Sequence, residues 1–174
     1  MSYKLYNFQK EAYIKFYDND CQYYFAFDTG MGKTLTALHI AKDFKNVLIM
    51  CPASVKVVWE KEMAKFNLYP KNSYKIVSYD YFREHYKEIL DYQFYDLIIF
   101  DEAHKLKNPS AKITKLCMKL FPKSNKIMLS ATPFEKLLDF YSQLKILTHK
   151  HPLWNYNLKL YKELFFILDF WRNI

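Results

Sequence analysis

The sequence predicts an α/β fold, a parallel β-sheet with helices packed on both faces in three layers. Short apolar runs alternate along the chain with segments of helical period, the pattern of strand–helix–strand units. Those runs are apolar throughout rather than at every second residue, as strands covered on both faces are. The two motifs richest in chemistry each follow such a run, at the carboxyl ends of strands, where sheets of this kind bind ligands.

The elements follow in order. A helix is expected over 7–18 and a strand over 22–27, after which a glycine loop opens a helix over 33–44. A strand at 47–51 precedes a helix at 54–66, whose Val55, Val58, Trp59, Met63 and Phe66 form one apolar stripe. A third strand at 74–78, a helix at 80–90 and a fourth strand at 95–100 come next. Asn108 and Pro109 have the chemistry of an N-cap and a first helical position. The helix they would open carries Ile113, Leu116, Cys117 and Leu120 on its apolar face. Lys112, Lys115 and Lys119 flank that face, which reads as solvated surface more readily than as a phosphate contact. A fifth strand at 126–129 and a helix marked by Phe134, Leu137, Leu138, Tyr141 and Leu144 complete the pattern.

With 174 residues, 51% of them hydrophobic, the chain is long and apolar enough for one domain with a real core and is not a disordered polyelectrolyte. No run has the length of a membrane span, and the amino terminus has no apolar stretch of the secretory kind. The expected setting is intracellular, cytoplasm or nucleus, with no membrane partner. Three cysteines, Cys21, Cys51 and Cys117, lack metal-ligand spacing and read as buried free thiols of a reducing compartment. His149-Lys150-His151 reads as a solvated turn before Pro152. A net charge of +8 fits a nucleic-acid partner. The abundance of Lys, Asn, Tyr, Phe and Ile, however, is also what an AT-rich genome, viral or otherwise, encodes.

The chain contains only two glycines, and both lie in Asp28-Thr29-Gly30-Met31-Gly32-Lys33-Thr34. Glycine lets the backbone approach a ligand closely and adopt positive φ. Between a strand and a helix, Gly-x-Gly-Lys-Thr is the core of a phosphate-binding loop. The amides of Gly30 to Thr34 and the positive end of the following helix would form an anion nest. Lys33 would reach the β- and γ-phosphates, and the Thr34 hydroxyl would bind Mg²⁺. The position five residues before Gly32, where the general pattern has glycine, is Phe27, preceded by Ala26.

The run Leu97-Ile98-Ile99-Phe100 ends in Asp101-Glu102-Ala103-His104. Asp101 suits a hard divalent cation and Glu102 an attacking water, because adjacent carboxylates point in different directions. Ser130-Ala131-Thr132-Pro133 closes the last apolar run, with hydroxyls placed to sense the γ-phosphate through the Asp101–Glu102 loop. Together these imply a nucleotide hydrolase.

The series resembles the first, RecA-like P-loop lobe of superfamily-two helicase motors, most closely the Swi/Snf branch, over roughly residues 5 to 147. Leu5-Tyr6-Asn7-Phe8-Gln9 is similar to the family's opening motif, which implies that Gln9 reads adenine; Asn7 stands where proline is usual. Cys51-Pro52-Ala53-Ser54-Val55 with Trp59-Glu60, and Val77-Ser78-Tyr79, resemble motifs that line a nucleic-acid strand, which places Pro52, Ser54 and Ser78 on that side. Asp101-Glu102-Ala103-His104-Lys105-Leu106-Lys107-Asn108 is the most branch-specific string, and Ser130-Ala131-Thr132-Pro133 resembles the coupling motif. His104, Ser130 and Thr132 would couple nucleotide state to movement.

The resemblance implies ATP and Mg²⁺ as ligands, duplex DNA as the track and a second lobe that closes on the nucleotide and supplies arginine fingers. The arginines here are Arg83 and Arg172, neither in a finger-like motif. Residues 1–148 are expected to form the lobe, with no room for another after Leu147. Residues 149–174, with Trp154, Phe165, Phe166, Phe170 and Trp171, read as the start of an inter-lobe extension. The expected function is the ATP-binding half of a nucleic-acid-dependent ATPase; the alternatives are a non-catalytic ATP- or DNA-binding module derived from such a lobe, or a gene remnant.

Overall fold

The computed structural model describes residues 4–91, 93–132 and 137–148. Strands β1 (Gln22–Phe25), β2 (Asn46–Cys51), β3 (Ser73–Ser78), β4 (Leu97–Asp101) and β5 (Asn125–Leu129) form one sheet in the order β1-β5-β4-β2-β3. Every pairing is parallel, with Phe25 opposite Leu129, Asp101 opposite Leu129 and Cys51 opposite Ser78. The helices are α1 (Asn7–Asp18), α2 (Lys33–Ala41), α3 (Lys56–Phe66), α4 (Tyr79–Asp91), α5 (Lys112–Leu120) and α6 (Leu137–Leu147). Short 3-10 turns, Ala53–Val55 and Ala103–Leu106, follow β2 and β4.

Alternation of side chains along each strand divides the core in two. Val47 and Ile49 of β2, Leu97 and Ile99 of β4 and Ile127 of β5 meet Phe16 of α1, Leu38 of α2, and Trp59 and Met63 of α3. Leu48, Met50, Ile98, Phe100 and Met128 face the other way, against Phe82 of α4, Cys117 of α5 and Ile146 of α6. The expected three layers are present, and burial on both faces is why these strands read as unbroken apolar runs. Each fully buried Phe or Trp contributes about 2–3 kcal/mol by leaving water.

The strand order follows from handedness. From β1 through β2 to β3 the chain moves toward one edge, and from β3 through β4 to β5 it steps back. A right-handed crossover keeps its helix on one face until the direction reverses, so α2 and α3 share a face and α4 and α5 take the other.

Local differences from expectation have physical causes. Helix α5 starts at Lys112 with Ala111 as its cap residue, not at Pro109. Asn108 instead accepts the Ser110 amide on Oδ1 at 2.9 Å and the Ala111 amide on its carbonyl at 3.2 Å, a side-chain-closed turn that ends before the helix. Lys112, Lys115 and Lys119 are exposed, as expected of a solvated face. Val58 is also exposed, and Trp59 and Met63 carry the buried stripe of α3. Cys51 and Cys117 are buried free thiols, but Cys21, at the turn into β1, is only partly buried. Strand β1 stops at Phe25, two residues early, and the Phe27 and Asp28 carbonyls accept the Lys33 ammonium. Pro133, Phe134, the side chains of Leu137 and Leu138, His149-Lys150-His151 and the whole 149–174 segment lie outside the described residues. Among the described residues no helix is long and apolar enough to cross a membrane.

Candidate nucleotide-binding site

The glycine loop leaves the carboxyl end of β1 and turns into α2. Gly30 has φ 84° and Gly32 φ 73°, the left-handed backbone that explains why the chain spends its only glycines here. The Met31 amide closes the turn on the Asp28 carbonyl at 3.3 Å. Gly32 precedes α2, and no side chain caps that helix, so its first amides point outward with the positive end of the helix dipole. Lys33 Nζ donates to the Phe27 carbonyl at 2.8 Å and the Asp28 carbonyl at 3.1 Å, which folds the ammonium back over the loop. Asp28, Thr29, Gly30 and Met31 are exposed, while Lys33 and Thr34 are half-buried at its base.

Gln9 reaches this loop from α1. It is 2% exposed, its Oε1 accepts the Tyr6 amide at 3.0 Å and its Nε2 donates to the Met31 carbonyl at 3.2 Å. A Cβ on Gly32 would stand 2.4 Å from Gln9 Nε2. Gly32 is therefore required twice, for its backbone angle and for the room Gln9 occupies.

Asp101 ends β4 and is 6% exposed. Trp59 Nε1 donates to its Oδ2 at 2.8 Å, the Glu102 amide donates to its Oδ1 at 2.9 Å, and the Tyr79 hydroxyl donates to its main-chain carbonyl at 2.7 Å. Burial pushes the Asp101 carboxyl above the usual carboxylate range; the indole bond opposes this, and so does the positive charge of Lys33. The carboxyl ends of β1 and β4 are separated only by β5, so the glycine loop and the acidic pair share one edge of the sheet. Each Asp101 oxygen spends one acceptor site on its donor and keeps another for a cation.

Glu102 has φ 51°, a left-handed conformation that costs a non-glycine residue about 1–2 kcal/mol. Its Oε2 lies 3.1 Å from His104 Nδ1, and the same ring nitrogen lies 3.1 Å from Ser130 Oγ. Ser130 is fully buried, its Oγ accepts the Thr132 amide at 3.2 Å and its own amide donates to the Phe25 carbonyl at 3.2 Å. Because β5 lies between β1 and β4, Ser130 stands between the glycine loop and the acidic pair.

Pro52 and Ser54 follow β2, and Ser78 ends β3 with its Oγ accepting the Tyr81 amide at 3.1 Å. They share the carboxyl edge of the sheet with the glycine loop and the acidic pair but occupy its other half, away from β1. The donor set fits what the motifs imply: amides and an ammonium for phosphate, and the Thr34 hydroxyl with the Asp101 carboxylate for a hard cation. Among the described residues no group of three His, Cys, Asp or Glu forms a separate metal cluster.

Several supporting residues had no sequence signal as such. Trp59 and Asp101 are 42 residues apart, and nothing local marks the indole as a partner of the carboxylate. The Ser142 hydroxyl of α6 lies 2.5 and 2.9 Å from the Leu106 and Lys107 carbonyls and shares its one proton between them, holding the turn that follows the acidic pair. The Tyr24 hydroxyl donates to Gln143 Oε1 at 2.7 Å, joining β1 to the same helix.

Residues 70–167 match the SNF2-related domain. A SWI/SNF-related matrix-associated actin-dependent regulator of chromatin, subfamily A-like protein 1 homolog, of Caenorhabditis elegans is 31% identical over 170 aligned residues, covering 84% of this chain. An uncharacterized ATP-dependent helicase of Bacillus subtilis is 34% identical over 130 residues, covering 64% of this chain. The chain spans 24% and 23% of the lengths of these two relatives. The structure of the Sulfolobus solfataricus SWI2/SNF2 ATPase core in complex with dsDNA superposes with a TM-score of 0.75 at 25% identity, over 94% of this chain and 39% of that one. The Pyrococcus furiosus Hef helicase domain shares the fold, with a TM-score of 0.64 at 19% identity over 83% of this chain and 36% of that one.

Proposed function

Because the chain belongs to the SNF2-related domain family, we propose that it is the ATP-binding lobe of a Swi/Snf-like, nucleic-acid-dependent ATPase motor. The observation that carries this reading is the placement of the glycine loop and the acidic pair at the carboxyl ends of β1 and β4, two strands separated only by β5. The amides of Gly30 to Thr34 cradle the phosphates, Lys33 exchanges its loop carbonyls for phosphate oxygens, and Gln9 meets the base. Thr34 and Asp101 would hold Mg²⁺, which when bound offsets phosphate charge. Glu102 orients the attacking water and takes its proton, and the His104–Ser130 contact passes the state of that carboxylate to the end of β5.

Efficient turnover calls for a second lobe. Arg83 is engaged by Asp80 at 3.0 Å and Glu84 at 3.2 Å on α4, and it is the arginine among the described residues. An arginine finger from elsewhere supplies about 10³–10⁵ in rate. Residues 1–148 form the lobe in this reading, and 149–174 lead toward the next one. Nucleic acid lies on the Pro52, Ser54 and Ser78 side, and duplex DNA is favoured by the Sulfolobus structure, which holds dsDNA. The motor works inside the cell, where its DNA track is.

Isothermal calorimetry with ATP and magnesium tests the site. Lys33→Ala is expected to weaken binding by at least tenfold, in line with the loss of about 1.5–3 kcal/mol of charged hydrogen bonding. Equal affinity in the two proteins refutes the assignment. Glu102→Gln separates hydrolysis from a module that only binds: it retains ATP affinity and abolishes any turnover measured with a second lobe present.

A further inference from the structure

The acidic residue proposed for the cation site is held from the half of the sheet edge that faces nucleic acid. Trp59 lies on α3, which grows directly out of the Pro52–Val55 turn, and its indole donates to Asp101 Oδ2 at 2.8 Å. Tyr79 immediately follows Ser78, and its hydroxyl donates to the Asp101 carbonyl at 2.7 Å. Trp59 is fully buried and Tyr79 nearly so. An indole N–H and a phenol O–H each have one proton to donate. Both are spent on the same residue, one on its side chain and one on its main chain. The two loops at the carboxyl ends of β2 and β3 therefore reach one residue through two short, closely packed levers, Trp59 on the carboxylate and Tyr79 on the carbonyl that follows it in the main chain.

We propose that Trp59 and Tyr79 are positioning residues that relay nucleic-acid contact at the Pro52–Ser54 turn and Ser78 to Asp101, and so set divalent-cation-dependent nucleotide binding. The inference rests on the function proposed above. A backbone phosphate seated on either loop shifts the start of α3 or α4. Packed side chains pass that shift on rather than absorb it. The carboxylate moves with its donors, and cation affinity changes with its position. By linkage the coupling is reciprocal: magnesium and nucleotide change the affinity for nucleic acid by the same factor.

The test uses the whole chain and a fluorescent ATP analogue, titrated in magnesium or in EDTA, with and without a short DNA duplex. The wild type is expected to bind more tightly in magnesium, and saturating duplex should change that affinity by fivefold or more, within the usual range of such couplings. Trp59→Phe and Tyr79→Phe should bind the analogue in EDTA as the wild type does. Trp59→Phe should lose about tenfold of the magnesium-dependent gain. In both variants the duplex-dependent change should fall to within about twofold of none. A role confined to packing moves the EDTA affinity or the melting temperature and leaves the duplex-dependent change intact, which overturns the relay. Should Trp59→Phe fail to fold, Tyr79→Phe carries the test, since it differs by one oxygen atom. A wild type that binds the analogue but ignores duplex also overturns the relay and leaves the nucleotide site standing. A wild type that binds no analogue removes both.

Discussion

Replacing Gly32 by alanine should cost more than replacing Gly30, and Gln9 should account for the difference. Both positions have positive φ, 73° and 84°, so an alanine at either place carries the left-handed penalty of about 1–2 kcal/mol. At Gly30 the new methyl meets nothing within 4 Å. At Gly32 it would lie 2.4 Å from Gln9 Nε2. The Gln9 side chain must swing away, which breaks its bond to the Met31 carbonyl and leaves a buried amide without a partner. That adds about 1–2 kcal/mol. Urea unfolding of the free protein should therefore place Gly30→Ala about 1–2 kcal/mol below wild type and Gly32→Ala about 2–4 kcal/mol below it, with unchanged slopes. In a Gln9→Ala background the methyl has room, and the two glycine substitutions should cost the same. The cycle then yields a coupling of about 1–2 kcal/mol between Gly32 and Gln9. Equal costs in the wild-type background, or a gap that survives removal of Gln9, would show that the close approach of α1 to the loop is not what demands glycine there.

Lys126 is fully buried in β5, its Nζ donates to the Ser124 carbonyl at 3.1 Å, and burial lowers its pKa from the ordinary 10.5 to about 8. The unfolded chain keeps that proton up to higher pH than the folded one, so the cost is full below pH 8, about 3 kcal/mol, and fades as pH rises toward 10.5. Lys126→Met should accordingly exceed wild type by about 2–3 kcal/mol at pH 7 and by less than about 1 kcal/mol at pH 10. Taking the difference between the two proteins cancels the titration of the buried thiols and phenols, and a gap independent of pH would contradict the burial argument. Asp96 lies at the amino end of the sheet, where its carboxylate accepts the Lys45 amide at 3.0 Å and the Asn46 amide at 2.8 Å. Asp96→Ala should lower stability by about 2–3 kcal/mol in chemical denaturation. Nucleotide affinity in calorimetry should stay within about twofold of wild type, because the bond is at the other end of the strands from the loop.

The order of strands and helices, their burial on both faces and the two chemical strings were legible in the chain because each is a local property. Apolar runs such as Leu97 to Phe100 state that both faces are covered, and glycines at Gly30 and Gly32 state that the backbone turns left-handed there. Where local chemistry allows two outcomes, that reading slipped. Asn108-Pro109 suits a helix start and a side-chain-closed turn equally, and the structure takes the turn, with α5 beginning at Lys112. In α3, Trp59 and Met63 take the buried positions while Val58 stays exposed, a choice of face that apolar periodicity alone does not make.

By itself the sequence determined the layered α/β architecture, the left-handed glycine loop and the acidic strand end, since these depend on residue type and spacing within a few positions. Only the tertiary structure decided that β5 places Ser130 between loop and acid, that Gln9 fills the space above Gly32, and that Trp59 and Tyr79 grip Asp101. Those contacts join residues far apart in the chain. Right-handed crossovers and strand register bring them together, and neither is written in any one segment.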